Sequence, residues 1–161
     1  MKTLIGKMGY MVMALGLVAV IIGVVFVCQA LTKQFWMQDA MVKEKVSLSY
    51  LGIQGANADT IIKDMDTAQK AADTVREHRH TISPSYKELL GSGKYDPTNT
   101  KQLTYAQAMN LENYLYLAVL GFGVVLIALG AGIFMIVTGL GLGITGCVLV
   151  MLGKKTAAKT T

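Results

Sequence analysis

Three side chains in the middle of the chain have types and spacing that could bind a metal ion. Asp73, Glu77 and His80 fall on one face of a helix, and Glu77 and His80 have the Glu-x-x-His spacing of carboxylate-bridged di-iron bundles. Such a site also needs a second Glu-x-x-His and two further glutamates, which this chain lacks. Because the same face lies opposite an alanine and valine face, a solvated acidic surface is the preferred interpretation. A metal- or ligand-binding sensor module is the alternative.

Two glycine-rich stretches resemble nucleotide-binding patterns, the first in its letters and the second only in part. The stretch Gly141-x-Gly-x-x-Gly146 lies in an apolar segment, with no strand before it and no acidic residue about 20 positions later. The run Gly91-Ser92-Gly93-Lys94 lacks the earlier glycine and the following Ser or Thr of a phosphate loop, so it is interpreted as a flexible turn. No serine, histidine and acid constellation indicates hydrolysis. We therefore predict no enzyme and no cofactor.

Two long uncharged segments must position everything else. Tyr10–Leu31 extends about 33 Å as a helix and Leu115–Leu152 about 57 Å, whereas a hydrocarbon core is about 30 Å thick. With 53% hydrophobic residues, the chain is predicted to be a membrane protein with one small polar region. The first segment is too long for a usual signal-peptide core, and no Ala-x-Ala site follows it. It is therefore predicted to be a retained anchor.

The positive charge in excess lies in the two tails, where no acidic residue accompanies it. Lysine near the end of a span is retained on the cytoplasmic side, so both termini are predicted to be cytoplasmic and the protein to be integral to the cell membrane. Anionic lipid headgroups are the expected partners of these lysines, and a nucleic-acid partner is not supported. The tail lysines are Lys2, Lys7, Lys154, Lys155 and Lys159.

These charges and spans predict five regions of the chain. Residues 1–9 form a cytoplasmic tail, 10–31 a transmembrane helix, 32–113 an extracytoplasmic region, 114–153 a long apolar helix that includes the second span, and 154–161 a basic cytoplasmic tail.

Glycine recurs every seven residues in both apolar segments. Seven residues are two turns of a slightly underwound helix, so each series forms a stripe along which a second helix can approach closely. On the second segment the stripe keeps its phase through residues 138–146, which favours one continuous helix over two short spans. The predicted helix-packing interface comprises Gly9, Gly16, Gly23, Ala30, Gly121, Gly132, Gly139, Gly143, Gly146 and Gly153.

A weaker stripe lies on the opposite side of the second segment. It consists of Gly123, Gly130 and Gly141, and we expect it to face another protomer or subunit. The alternative is that these are ordinary glycines of a membrane helix, where this residue is common.

The glycine stripes and the aromatic residues predict different registers for the helix pair. Antiparallel alignment of the stripes sets Gly16 against Gly146 and Gly23 against Gly139, and it leaves Leu115–Ala131 above the membrane, where another surface must bury it. Aromatic anchors at the headgroup level favour a different register. These predicted anchors are Phe35, Trp36, Tyr114 and Tyr116.

The extracytoplasmic region is predicted to be a small α(+β) layer. After Trp36 a short helix to about Lys45 is expected. Val46–Tyr50 alternates with period two and Thr60–Ile62 is β-branched, which predicts a hairpin across the turn-rich Gly52–Asn57.

Two capping-box patterns predict helix starts in the same region. Asp66 with Gln69 opens a helix to about Arg79, and Thr104 with Gln107 opens a helix near Tyr105 that runs unbroken into the membrane. The apolar face of the first helix is Ala68, Ala71, Ala72 and Val75. Between the two helices, the proline and glycine residues from 84 to 97 predict an irregular connection.

The expected fold is a mainly α membrane protein: a two-span antiparallel helical hairpin with a very long second helix and a small extracytoplasmic α(+β) region. The expected function is that of a non-catalytic structural or assembly protein, which packs through its glycine faces into a homo-oligomer or a larger membrane complex. An accessory subunit of a redox or transport complex is a further alternative. A direct role in ion carriage is disfavoured, because neither apolar segment has an ionisable side chain other than tyrosine and cysteine.

Overall fold

The structure, a computed structural model, describes residues 2–51 and 60–158. These residues are mostly helical and contain no β-strand. The elements are α1 (Lys2–Glu44), a 3₁₀ turn (Ser49–Leu51), α2 (Met65–Ile82), α3 (Tyr86–Leu90) and α4 (Thr100–Ala158). The chain divides into an apolar unit, Met1–Lys33 with Val125–Thr161, and a polar unit, Gln34–Val124.

Both long helices are continuous. The first span and the short helix expected after Trp36 belong to one element, α1, of 43 residues. No proline interrupts this sequence, so nothing ends the helix before Glu44. The second apolar segment is likewise one helix, α4, of 59 residues, which passes through residues 138–146 without a break. Both helices are long and apolar enough to cross a membrane.

The apolar unit consists of an antiparallel pair of helix segments. Glycine contacts pair Gly16 of α1 with Gly139 of α4, and Gly23 with Gly132. The pairing expected from the glycine stripes, Gly16 with Gly146, is therefore wrong by seven residues. A shift of one heptad superimposes each stripe on itself, so the glycine pattern fits both registers equally and cannot select one.

The N-cap of helix α2 lies two residues before the expected cap. Asp64 is the N-cap: its carboxylate accepts the backbone N–H of Thr67 at 2.8 Å, and the Thr67 hydroxyl oxygen accepts the backbone N–H of Asp64 at 3.3 Å. Asp66, the expected cap, lies in the first turn, where its charge favours the helix dipole. Burial raises the pKa of Asp64, but the hydrogen bonds from Thr67 outweigh it and lower the pKa overall.

The buried face of α2 forms the core of the polar unit. This face consists of Ala68, Ala71, Ala72 and Val75, as the sequence predicts. It packs with Leu48, Ile62 and Leu115. Leu115 is the first residue of the uncharged run in α4, so this end of the run is buried in the core of the polar unit. Burial of Leu48 and of Ile62 contributes about 1.5–3 kcal/mol each.

The expected hairpin is reduced to one bridge between Ser47 and Ile61. Two backbone hydrogen bonds accompany it: Leu48 N–H donates to Thr60 O at 3.1 Å, and Ile62 N–H donates to Val46 O at 3.0 Å. The prediction of strands is wrong because the 3₁₀ turn starts at Ser49, and an isolated two-stranded hairpin has little stability in water. The predicted turn, Gly52–Asn57, lies outside the described residues.

The connection between α2 and α4 contains one short helix, α3, with Ser85 as its N-cap and Gly91, with φ of 59°, as its C-cap. Helix α4 starts at Thr100, five residues before the expected Tyr105. The Asn99 side chain explains the earlier start, because its Oδ1 accepts backbone N–H groups of residues 101 and 102 at 3.0 and 3.2 Å.

Candidate functional site

The glycine seam of the apolar unit is a close backbone contact between α1 and α4. A Cβ added to Gly16 would lie 2.6 Å from the carbonyl oxygen of Gly139, and a Cβ added to Gly139 would lie 2.6 Å from that of Gly16. At Gly23 the distance to the carbonyl oxygen of Gly132 would be 2.7 Å. Glycine Cα–H groups therefore point at backbone carbonyls, a recurring weak contact between closely packed helices.

The same geometry repeats toward the chain termini. A Cβ on Gly9 would lie 2.9 Å from the carbonyl oxygen of Gly146, and one on Gly153 would lie 3.1 Å from the backbone nitrogen of Gly6. Ala30 is buried in the same unit. The heptad glycines from both helices thus form one continuous seam. A larger residue would collide with backbone atoms at Gly9, Gly16, Gly23, Gly132, Gly139 and Gly146.

Two predicted interface residues behave differently from the seam. A Cβ on Gly121, in the polar unit, would meet the flexible end of Met37, with Cε at 2.6 Å. A Cβ on Gly143 would meet no described atom within 4 Å, although the Gly143 backbone nitrogen lies against Gly16. Substitution at these two positions can be absorbed by a side-chain movement or by open space.

The weaker stripe has no neighbour in the described part of the chain. Added Cβ atoms at Gly123, Gly130 and Gly141 would each meet nothing within 4 Å among the described residues. Large apolar side chains beside them on α4, such as Phe134 and Val137, are also exposed. This surface is therefore open to lipid or to another protein.

An apolar groove of about 780 Å³ lies beside the seam in the apolar unit. Gly16, Gly139 and Gly143 line it, and Tyr10 and Met151 lie near the terminal end of the two helices. The glycines leave space where other residues would fill the crevice between the helices. A volume of this size falls within the range of ligand pockets, about 300–1,000 Å³.

The three residues predicted as a polar site do not converge. Glu77 and His80 are exposed on α2. Asp73 accepts hydrogen bonds from Gln69 at 2.9 Å and from the Tyr116 hydroxyl at 2.7 Å. These two hydrogen bonds lower the pKa of Asp73 below its ordinary value. Among the described residues, no three His, Cys, Asp or Glu side chains are grouped to hold a metal ion.

A buried charge cluster in the polar unit was not found by sequence reasoning. Arg79 Nε donates to Glu112 Oε2 at 2.6 Å and Arg79 Nη2 donates to Oε1 at 3.3 Å, so the pair is bidentate. Arg79 Nη1 also donates to the Tyr105 hydroxyl, and the guanidinium lies over the Tyr105 ring at 4.9 Å. The Arg79 and Glu112 side chains are only 12% and 9% exposed. The hydrogen bond to Glu112 raises the pKa of Arg79 further.

A sequence signal for this cluster exists. Arg79 follows Val75 by four residues and so continues the apolar face of α2, where an unpaired charge would be costly. Glu112 is the last acid before the long uncharged run. A cation on a buried face and an acid at the edge of an apolar helix are an expected pair, and this pair fixes how α2 lies against α4 within the polar unit.

The predicted aromatic anchors divide into two groups. Phe35, Trp36 and Tyr114 are exposed, as an anchor at a headgroup layer requires. Tyr116 is partly buried, and its hydroxyl is bonded to Asp73. Tyr116 therefore links α2 to α4 inside the polar unit.

Comparison of the chain with protein-family models, with curated proteins and with solved structures gave no match.

Proposed function

We propose that this chain is a non-catalytic integral membrane protein, a two-span hairpin that assembles with copies of itself or with other membrane subunits. One observation above all supports its membrane placement. In the most apolar 18-residue stretch of each long helix, only 11% of the stretch is buried. A core helix of a soluble protein would be mostly buried. Here large side chains such as Leu15 and Ile127 are exposed along the helices, and apolar surface of this extent is unfavourable in water.

The glycine seam supports a retained first span. A signal peptide is removed, so it has no reason to match a helix more than a hundred residues later in the chain. Gly9, Gly16 and Gly23 each meet a glycine of α4 at backbone distance. In a membrane, where lipid tails are as apolar as leucine, such close packing is a main source of helix association. The seam therefore serves the pairing of the two spans within one chain.

The open face of α4 is left for partners. Because the heptad glycines are occupied within the chain, assembly is assigned to the surface that carries Gly123, Gly130 and Gly141. The tail lysines support a topology with both termini on the cytoplasmic side and residues 32–113 outside. We propose that this outer region has a structural role, since its buried charges are paired with each other.

The topology is tested by labelling single cysteines on a background in which both native cysteines are replaced by alanine. A membrane-impermeant maleimide added to intact cells is expected to label Lys94→Cys at once, because Lys94 is exposed in the outer region. Lys155→Cys is expected to be labelled only after the membrane is permeabilised. Labelling of Lys155→Cys in intact cells would contradict the cytoplasmic placement of the C-terminus.

The assembly is tested by the native mass of the gently extracted protein. Leucine at both Gly123 and Gly130 adds bulk to the open face and is expected to reduce the complex to single chains, without separating the two spans. Val124→Leu, an exposed apolar position on α4 that lies about 100° around the helix from Gly123, is the control and is expected to keep the full mass. An unchanged mass in the glycine double variant would exclude this face as the interface.

A further inference from the structure

We propose that the groove in the apolar unit binds one anionic phospholipid of the cytoplasmic leaflet, with an acyl chain in the groove and the phosphate beside Lys7, Lys154 and Lys155. This inference rests on the proposed membrane placement with both termini cytoplasmic. It goes further, because it assigns a specific lipid site to named residues.

The length of the groove fits one leaflet. Along α1 it extends from Tyr10 to Val20, which is about 15 Å at 1.5 Å per residue. Half of a hydrocarbon core of about 30 Å is the same length. An acyl chain that enters at the Tyr10 end therefore reaches the bilayer midplane where the groove ends.

The charge at one end of the groove selects the headgroup. Lys7 lies one turn before Tyr10, and Lys154 and Lys155 follow Met151 by about one turn, so these exposed lysines flank the end of the groove marked by Tyr10 and Met151. No Asp or Glu occurs before Asp39 or after Glu112, so the apolar unit has no acidic side chain to compete with a phosphate. Each lysine near an anionic surface contributes about 1 kcal/mol, or about a fivefold change in affinity.

The shape of the groove favours an acyl chain over a second helix. Gly143 lines the groove and presents open space, since an added Cβ would meet no described atom within 4 Å. The groove is otherwise lined by flexible or branched apolar side chains such as Met13 and Val148. A thin flexible chain can follow this surface, whereas a helix of about 10 Å diameter cannot enter a crevice between two helices in backbone contact.

Native mass spectrometry of the full-length protein in a non-ionic detergent tests the site. Palmitoyl-oleoyl phosphatidylglycerol and the phosphatidylcholine with the same acyl chains are titrated separately. One phosphatidylglycerol per chain is expected, bound more tightly than phosphatidylcholine. Replacement of both Lys154 and Lys155 by glutamine is expected to weaken phosphatidylglycerol binding by about fivefold for each lysine and to leave phosphatidylcholine unchanged.

Two variants fill the groove, and a third variant is the matched control. Gly143→Leu, from α4, and Ala14→Leu, from α1, are each expected to weaken binding of both lipids by about tenfold. Leu15→Phe adds bulk one residue after Ala14 on an exposed part of α1 that does not line the groove, and is expected to bind as the wild type does. Far-UV circular dichroism verifies that each variant is folded. If Gly143→Leu does not fold, the test depends on Ala14→Leu.

Three results would overturn the lipid site. These are equal binding of the two lipids by the wild type, unchanged binding in both groove-filling variants, and a change in protein mass on filling the groove without a change in bound lipid. The last result would make a second copy of the chain the occupant. Alkaline carbonate extraction separates these failures from failure of the proposed function, because a chain released from the membrane by carbonate is not a spanning protein at all.

Discussion

Replacement of Gly139 by alanine measures how far the glycine seam holds the two helices together. The new Cβ would lie 2.6 Å from the carbonyl oxygen of Gly16 and 2.9 Å from the backbone nitrogen of Val20. Ordinary contact begins at 3.4 Å, so the helices must move apart by about 0.8 Å, the difference between 3.4 and 2.6 Å. A gap of about 0.5–1 Å loses a quarter to a half of the dispersion energy at a contact, and such overpacking costs about 1–3 kcal/mol.

Helix propensity acts in the opposite direction and must be separated from this cost. Alanine stabilises a helix by about 1 kcal/mol relative to glycine. Gly141→Ala is the matched control, because it lies on the same helix and its Cβ would meet no described atom within 4 Å. The propensity gain is common to both variants and cancels in the comparison. We therefore expect Gly139→Ala to be about 1–3 kcal/mol less stable than Gly141→Ala.

Unfolding by SDS in mild-detergent micelles provides the measurement. Energy transfer between dyes on Leu4→Cys and Lys155→Cys, with the native cysteines replaced by alanine, reports separation of the helices at their terminal ends. Gly139→Ala should lower the SDS midpoint and Gly141→Ala should leave it unchanged or raise it. Equal shifts in the same direction for the two variants would refute the seam as a close backbone contact.

Three further changes test the polar unit. Glu112→Gln removes the charge that pairs with the buried Arg79 and should destabilise the protein by about 3–5 kcal/mol, whereas leucine at both positions should cost less in thermal or chemical unfolding. The pKa of Asp73 is lowered in the folded state, so its stabilising effect is present above the ordinary pKa of 3.8 and is lost as the pH falls through the folded value. Acid titration of unfolding should show this loss, and Tyr116→Phe should reduce it. Lys45 has φ of 51° at the end of α1, so Lys45→Gly should raise the stability by about 1 kcal/mol in the same unfolding assay, and a decrease would contradict the assigned strain.

The helices could be predicted from the sequence because each follows from one long pattern of residues, either an uncharged run or a regular apolar spacing. The uncharged runs require helices in a membrane, and the phase of the glycines indicates that α4 is unbroken. The apolar face of α2 follows from spacing alone, with Ala68, Ala72 and Val75 on one side. In each of these patterns many residues favour a helix, so a single residue that disfavours it does not change the structure that forms.

Helix ends and register were less predictable, because few atoms decide them. Asp64 and Asp66 are both acceptable caps by composition, and the choice depends on the Thr67 hydroxyl three residues after Asp64. The register of the helix pair depends on contacts that recur every seven residues, and a displaced pairing satisfies the same stripe. The predicted hairpin is wrong for a related reason. The alternation of apolar and polar residues covers only a few positions, and it does not outweigh the burial of Leu48 and Ile62 beside α2.

The pairing of Arg79 with Glu112 does not follow from the apolar face of either helix taken alone. The sequence patterns predict Arg79 only as the approximate end of a helix, and they assign no role to Glu112. In the structure they are the partners that let a charged residue lie on the apolar side of α2. A sequence search for charges at positions that continue an apolar face would find Arg79, and Glu112 is then the acid that α4 can offer.

The heptad spacing also limits where a partner can bind. A stripe that brings Gly16 and Gly139 within backbone distance cannot at the same time accept a helix from another chain, because each glycine Cα–H group already faces a carbonyl oxygen. The heptad glycines form the more regular pattern, but they therefore give less information about assembly than the irregular set on the opposite side of α4. The irregular set of Gly130 and Gly141, where an added Cβ would meet no described atom within 4 Å, is the surface to which we assign the proposed association with another chain, and bulk added there tests assembly without opening the pair of spans.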